Sequence, residues 1–588
     1  MNRSLYNYIR PLLISALVGS ILSGFYLVWL MNESPVQGIG LLFIILYLWI
    51  FFTIAVYLFW TRLLVRWLTP YSTRWKVLWA AGCLTAGLWL ADNIPVVLPG
   101  SGIFKALLFL FAGAGLAILL FVVMAWLVTR SRPANPPVKR RFGWLIFALP
   151  MMTAWVMYLL AFWPGLMSAD SLNQWGQMIS GQVNDHHPAF HTFTIWLTTR
   201  IAETPAVVAL AQIIALALVV GMILAWIESL GVASFWVWAA SVLFAISPVN
   251  GTMVNTLWKD IPYSTVMLAF TYLIFRMASS HGDWIAMRGR WLLLGTAAAL
   301  APLFRHNGLQ VVLITIPVLI VAFRRFWKPI GLAFAVTAAL YFGITGPGYR
   351  LAGVERSTVL IEAASSLYTT AAGADADSRT EAALLSMNPL SNDWQCSVLT
   401  SLYQAKQMDG AGFQETPVQK AQNLIRFAPS LLAYDYRCNR SLVWIIWDPN
   451  GEVRNPSHAE YGIDPNAFGL KTDSKIPYLN TIMTKIVVRT AYDPAINWLV
   501  WRPALYLYAF LLIVTIFAMR QKNLWYLVTA VPVLLQSISM TLITMPPNLR
   551  YHYFVYILAL AFWPILFSPY HATEGVRPSS LPQQPITE

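Results

Sequence analysis

The feature that most limits this chain is the return, along most of its length, of long apolar runs. A run of about 18 or more such residues can cross a hydrocarbon core of about 30 Å as a helix. Spans are expected near 11–31, 38–60, 77–97 and 104–128, then 144–163, 205–227, 232–248 and 263–279. Others follow near 291–304, 308–323 and 329–346, and finally 496–518, 524–544 and 551–568. The expected fold is therefore an all-α polytopic membrane protein of about fourteen transmembrane helices. Only 11% of the residues are charged and 58% are hydrophobic, against about 25% charged in an ordinary soluble domain. An outer-membrane barrel is excluded, because its strands would alternate apolar and polar side chains. The first run has no small-residue cleavage site and is followed by further runs, so it reads as a retained anchor.

A formal charge of +14 could point to nucleic acid, but its placement does not. The cations gather in short loops: Arg62, Arg66, Arg74 and Lys76; Arg130, Arg132, Lys139, Arg140 and Arg141; Arg276, Arg288 and Arg290; Arg324, Arg325 and Lys328; Arg520 and Lys522. Positive residues in short loops mark the cytoplasmic side, and an even number of crossings puts both termini there. No glycine-rich phosphate loop of the P-loop type is present, which argues against direct nucleotide hydrolysis.

The chain divides into an N-terminal four-helix membrane region (1–143) and a membrane core (144–346) carrying an external loop at 164–204. A polar extracytoplasmic domain, mixed or mainly helical, follows at 347–495, then C-terminal transmembrane helices (496–568) and a disordered tail (569–588). The polar domain holds more than half of the 25 acidic residues and turn signals such as "DPNGE" and "RNPS". Cys396 and Cys438 both fall in it, where oxidising conditions allow a disulfide; spacing does not decide whether they pair. After Pro188 the external loop places Phe190, Phe193, Ile195, Trp196 and Leu197 among threonines, as in a helix lying in a membrane interface.

With that topology, four polar clusters share one side of the membrane. The first is the loop, with Asp170, Asn173, Gln174, Asp185, His186 and His187; the second is "NTLWKDIPYS", with Asn255, Lys259, Asp260 and Tyr263. The third is "FRHNGLQ", with Arg305, His306, Asn307 and Gln310, and the fourth is "PPNLRYHY", with Asn548, Arg550, Tyr551, His552 and Tyr553. Lys259, Arg305 and Arg550 are cations where positive-inside bias disfavours them, and a lipid phosphate at headgroup depth is the nearest anion. Arginine can bind it bidentately, lysine as a point charge. Asp170, with Asp185, can take a proton from an acceptor hydroxyl. The bland readings stay open beside these. Asp170 could belong to a helix cap, Asp185 to a turn, Lys259 and Asp260 to a surface ion pair, and the arginines to headgroup anchors. His186 and His187 could hydrogen-bond substrate or, with the aspartates, hold a divalent metal such as Mg or Mn.

The "WPG…SADS" after a span, then "DHHP", "WKDIPYS", "RHNG" and a late "LRYHY", resembles the membrane-embedded glycosyltransferases of the GT-C superfamily. The match covers roughly 144–568 in layout and is specific in those five motifs. The resemblance implies a GT-C-like core, an acidic residue in the first large external loop, a polyprenyl-phosphate sugar donor and inversion at the anomeric carbon. Two departures stand out. The loop follows the fifth expected span instead of the first, and "SAD" offers one carboxylate in place of an adjacent acidic pair.

The expected function is glycosyl transfer from an undecaprenyl-type phosphate sugar to a cell-envelope glycan or lipid-linked acceptor, at the external face of a bacterial inner membrane. Asp170 and Asp185 are the candidate catalytic acids, and Lys259, Arg305 and Arg550 the candidate phosphate clamp. Gln174, His186, His187, Asp260, His306, Asn307 and Tyr551 are candidate substrate contacts. The rivals are a polymerase or ligase of lipid-linked glycans and, from another class, a lipid or sugar transporter or flippase.

Overall fold

The structure is a computed structural model, and it describes residues 138, 140–355, 443–444, 462–543 and 549–569. The first four expected spans, Cys396, Cys438, Asn548 and most of the polar domain lie outside the described residues. Those that are described are mostly helical, with three isolated β-bridges. In chain order the principal helices begin with α1 (Gly143–Ala161), α2 (Ala169–Ser180), α3 (Ala189–Thr199), α4 (Pro205–Ser229) and α5 (Ser234–Ile246). There follow α6 (Pro248–Asn255), α7 (Asp260–Ser279), α8 (Arg290–Phe304), α9 (Gly308–Ala322) and α10 (Trp327–Gly343). The last are α11 (Pro477–Tyr492), α12 (Pro503–Arg520), α13 (Val531–Ile543) and α14 (Tyr553–Phe562).

Six segments among the described residues are long and apolar enough to cross a membrane: Gly143–Ala161, Pro205–Ser229, Asp260–Ser279, Arg324–Leu351, Pro503–Arg520 and Leu549–Phe567. The sequence reading expects ten over the same stretch, and the difference has local causes. The expected span at 232–248 is α5 and α6, bent by 58°. Pro248 disfavours helical backbone at Ser247, whose hydroxyl instead caps α6 by accepting from the Asn250 amide at 3.3 Å. The expected spans at 291–304 and 308–323 are the fifteen-residue helices α8 and α9. The one at 496–518 is interrupted before Pro503, and the one at 524–544 opens as 3₁₀ helix over Leu524–Ala530.

Helices α1 and α4 pack so closely that a Cβ on Gly221 would sit 2.0 Å from the Trp144 carbonyl oxygen. Only glycine fits there. The core runs on through Trp155, Phe244, Phe275, Phe510 and Phe562, all buried, with Phe275 stacked on Phe562 at 4.3 Å. At one end of the bundle α1, α4 and α5 are tied by Glu228, which is buried and accepts from Arg140 at 3.1 Å. Arg276 and Arg520 stand in the last turns of α7 and α12 and Arg324 and Arg325 in the 3₁₀ turn between α9 and α10, ends that meet where Asn523 donates to the Ala278 carbonyl at 2.8 Å and Phe323 faces Trp525 at 5.2 Å. The loops at the other end carry the four polar clusters.

Candidate functional site

The turn after α1 starts the site. Gly165 has φ +125, a backbone that L side chains rarely adopt. This "WPG" turn brings Leu166 alongside the end of α6, where its amide donates to the Asn255 carbonyl at 2.9 Å. On the other side of the same strand-like stretch, the Met167 amide donates to Gly462 and the Asp464 amide returns to Met167 at 2.9 Å. A carboxylate oxygen of Asp464 then accepts from the Ala169 amide at 3.1 Å, in the first turn of α2. Ser168, the formal cap residue, spends its hydroxyl accepting from Trp258 Nε1 at 2.6 Å. Asp170 is thus freed from capping, and its carboxylate turns toward the second and fourth clusters.

One Asp170 oxygen lies 2.9 Å from Arg550 Nη1 and 3.9 Å from Lys259 Nζ, while the other is 3.9 Å from His187 Nε2. Asp170 is 30% exposed, and Arg550 and Lys259 each 15%. Burial opposes the charged carboxylate, but Arg550, Lys259 and His187 more than offset it, so its pKa falls to about 2. His187 is lowered to about 3 by burial and by the Lys259 ammonium. A neutral ring accepts at Nδ1 from Lys259 at 2.9 Å, which leaves the proton on Nε2, facing Asp170. Burial also lowers Lys259, while Asp260 and Asp170 hold it up.

Arg550 has a second set of anchors. Its guanidinium lies over the rings of Trp258 at 5.0 Å and Tyr551 at 4.8 Å, and Nη2 donates to the Tyr551 hydroxyl at 2.8 Å. Tyr551 also faces Arg305, at 4.5 Å. Arg305 itself is ion-paired with Asp260, which is 1% exposed. Asp260 therefore pairs across to Arg305, not with its neighbour Lys259. Asn307 and Tyr263 both donate to Gln536 Oε1, at 3.1 and 2.6 Å, and Gln536 Nε2 donates to the Tyr551 carbonyl at 3.0 Å. Gln310 bonds Ser539 on the same helix, α13. The four clusters are thus one network.

Several predicted site residues face elsewhere. Gln174 is buried, with its amide on Thr192 at 3.1 Å and its oxygen on His191 at 2.9 Å, so it joins α2 to α3. Asp185 accepts from the Ala189 amide at 2.9 Å at the start of α3 and does not touch the Asp170 cluster. His306 meets the Asp185 carbonyl at 3.2 Å, and burial lowers its pKa. His186 is exposed, its ring 4.8 Å from that of His187. Asn255 bonds Gly251 and Trp155 carbonyls, Asn173 accepts from Gln177, and Tyr553 donates to Asn250. His552 is fully buried, with no hydrogen-bond partner for either ring nitrogen among the described residues.

Among the described residues no three His, Cys, Asp or Glu side chains are grouped to hold a metal ion. At His187, one of the candidates raised for such a site, Nδ1 faces the Lys259 ammonium.

The sequence reading missed Gln536, Trp258 and Asp464. A lone amide in the apolar "VPVLLQSISM" was the available signal for Gln536. No family model, no curated protein and no solved structure matches this chain. Among the described residues, fold and site together define a helical protein with helices long and apolar enough to cross a membrane and, at one end of its bundle, a cluster of cations around Asp170 and Asp260.

Proposed function

We propose that the protein is an integral-membrane glycosyltransferase with a GT-C-like core. It transfers a sugar from a polyprenyl-phosphate donor to a cell-envelope glycan or lipid-linked acceptor at the extracytoplasmic face of a bacterial cytoplasmic membrane. One observation carries the reading. A partly exposed carboxylate, Asp170, stands against two fixed cations, Arg550 and Lys259, at an end of an apolar bundle. The placement of Arg140, Arg276, Arg324, Arg325 and Arg520 at the opposite end supports the orientation, because positive loops face the cytoplasm. The fourteen-span count of the sequence reading belongs to this proposal.

In the reaction, the acceptor oxygen forms its bond to the anomeric carbon as the bond from that carbon to the phosphate oxygen breaks. The hydroxyl proton passes to Asp170, and polyprenyl phosphate leaves with its charge held by Arg550 and Lys259. Arg305, neutralised by Asp260, shapes the clamp through Tyr551 more than it adds charge. Attack opposite the leaving group inverts the anomeric centre.

A transporter would account for the bent pair α5 and α6, since broken helices bind cargo near the midplane. Here the break is filled from within. Ser247 bonds the Tyr556 hydroxyl at 2.7 Å, and Asn250 bonds Tyr553 at 3.0 Å and the Phe244 carbonyl at 3.0 Å. Purified protein incubated with radiolabelled polyprenyl-phosphate sugars and envelope acceptors tests the reading. Labelled acceptor is expected. Uptake into vesicles with no product would replace the reading with transport, and transfer of many sugars from one lipid would replace it with a polymerase or ligase.

A further inference from the structure

A general base works best when its pKa lies near the operating pH. Asp170, at about 2, does not meet that condition while it is paired with Arg550 and Lys259. The same oxygen of Asp170 faces both cations, and those cations are the groups that the proposed donor phosphate needs. Carboxylate and phosphate therefore want one place.

The anchoring of the three groups says which of them gives way. Arg550 keeps Trp258, Tyr551 and the Tyr551 hydroxyl whether or not Asp170 is there. Lys259 keeps its contact with His187 at 2.9 Å. Asp170 is the most exposed of the cluster and sits in the first turn of a helix whose amide is capped by another residue, Asp464. The Arg305–Asp260 pair beside it is a contrast, since its carboxylate is buried and cannot swing to solvent.

We infer that donor phosphate and Asp170 compete for Arg550 and Lys259, so that binding the donor displaces the Asp170 carboxylate and turns it from counter-ion into base. This inference rests on the lipid-phosphate reading above and adds a regulation to it. The charges balance at each stage. Two cations face a phosphodiester of one negative charge and a freed carboxylate of another. After transfer they face a phosphomonoester of two negative charges, and Asp170 is protonated and neutral. The acceptor is therefore deprotonated only when a donor is in place.

The test is binding of farnesyl phosphate and of inorganic phosphate to full-length protein in detergent, comparing wild type with Asp170→Asn and Asp170→Ser. Both variants remove the competing charge, one at nearly constant size and one with a smaller hydroxyl, so a folding defect in either leaves the other to decide. Each is expected to bind farnesyl phosphate at least tenfold more tightly than wild type, although both lack the base. Equal or weaker binding by the variants, with wild type binding measurably, would overturn the competition and leave the lipid-phosphate reading standing. No binding of farnesyl phosphate by any form would remove both. A tenfold gain for inorganic phosphate, with no preference for the prenyl ester, would uphold the competition and assign the clamp to a free phosphate.

Discussion

The guanidinium of Arg550 reaches the carboxylate of Asp170 across 2.9 Å, joining the start of the last apolar segment to the first turn of α2. Through this pair the last apolar segment, with Lys259 and His187, holds a carboxyl of the first described loop below its ordinary pKa. Transfer by the Asp170→Asn enzyme is expected to fall about 10²–10⁴-fold, the usual worth of a positioned base. Product formation at saturating donor measures it, and a rate near wild type would remove Asp170 from the role.

Arg305 and Asp260 form a buried pair of a different kind. Removing one partner strands the other charge away from water, which costs about 3–5 kcal/mol. Arg305→Met and Asp260→Leu should each lower the melting temperature sharply. The double variant should recover most of the loss, because no charge is left unpaired. Melting curves of the four proteins in one detergent check it, and additive losses would contradict it.

Gln536 serves three elements with one amide, accepting from Tyr263 and Asn307 and donating to the Tyr551 carbonyl. Gln536→Leu fills the space and satisfies none of these groups. A loss of about 1–3 kcal/mol is expected, again read by melting. Because Tyr551 backs both Arg305 and Arg550, farnesyl phosphate binding should weaken along with stability.

Acid should weaken the protein from above the carboxylate range. His187 and His191 have folded pKa values lowered from 6.5 to about 3, chiefly by burial. An unfolded chain takes up protons on these rings as pH falls below 6.5, while the folded chain does not. Stability is therefore full above 6.5 and declines toward 3, by at most about 1.4 kcal/mol per pH unit for each ring. Asp170, lowered from 3.8 to about 2, adds stability present above 3.8 and lost as pH falls through 2. A melting series from pH 8 to 4 checks the first limb, and His187→Asn should flatten it.

Gly221 meets the Trp144 carbonyl with no room for a Cβ. Gly221→Ala should push α1 from α4 and cost about 1–3 kcal/mol as overpacking, visible as lower folded yield on size exclusion. An unchanged yield and melting temperature would refute so close an approach.

What was legible in the sequence was the convergence. Lys259, Arg305 and Arg550 stand at helix ends in a greasy chain, and cations there need anions close by. Their partners were not legible, because adjacency in sequence does not decide them. Asp260, open between substrate contact and a surface pair with Lys259, is paired with Arg305; Asp185, open between second acid and turn former, accepts from the Ala189 amide at the start of α3. The contribution of Asp464 comes from the far side of the polar domain, and no local pattern points to it. Hydropathy weighs apolar content and is blind to the break at Ser247–Pro248, where one expected span becomes two helices bent by 58°.

The two fifteen-residue helices α8 and α9 meet at Arg305–Asn307, within the network. At 1.5 Å per residue each rises about 22 Å, well short of a hydrocarbon core of about 30 Å. In the membrane placement proposed above, a bilayer resting against this short hairpin would thin to meet it. Headgroups of the adjoining leaflet would then sink toward the Arg305–Asn307 turn, and the protein would draw the membrane surface down to the site instead of raising the site to the surface.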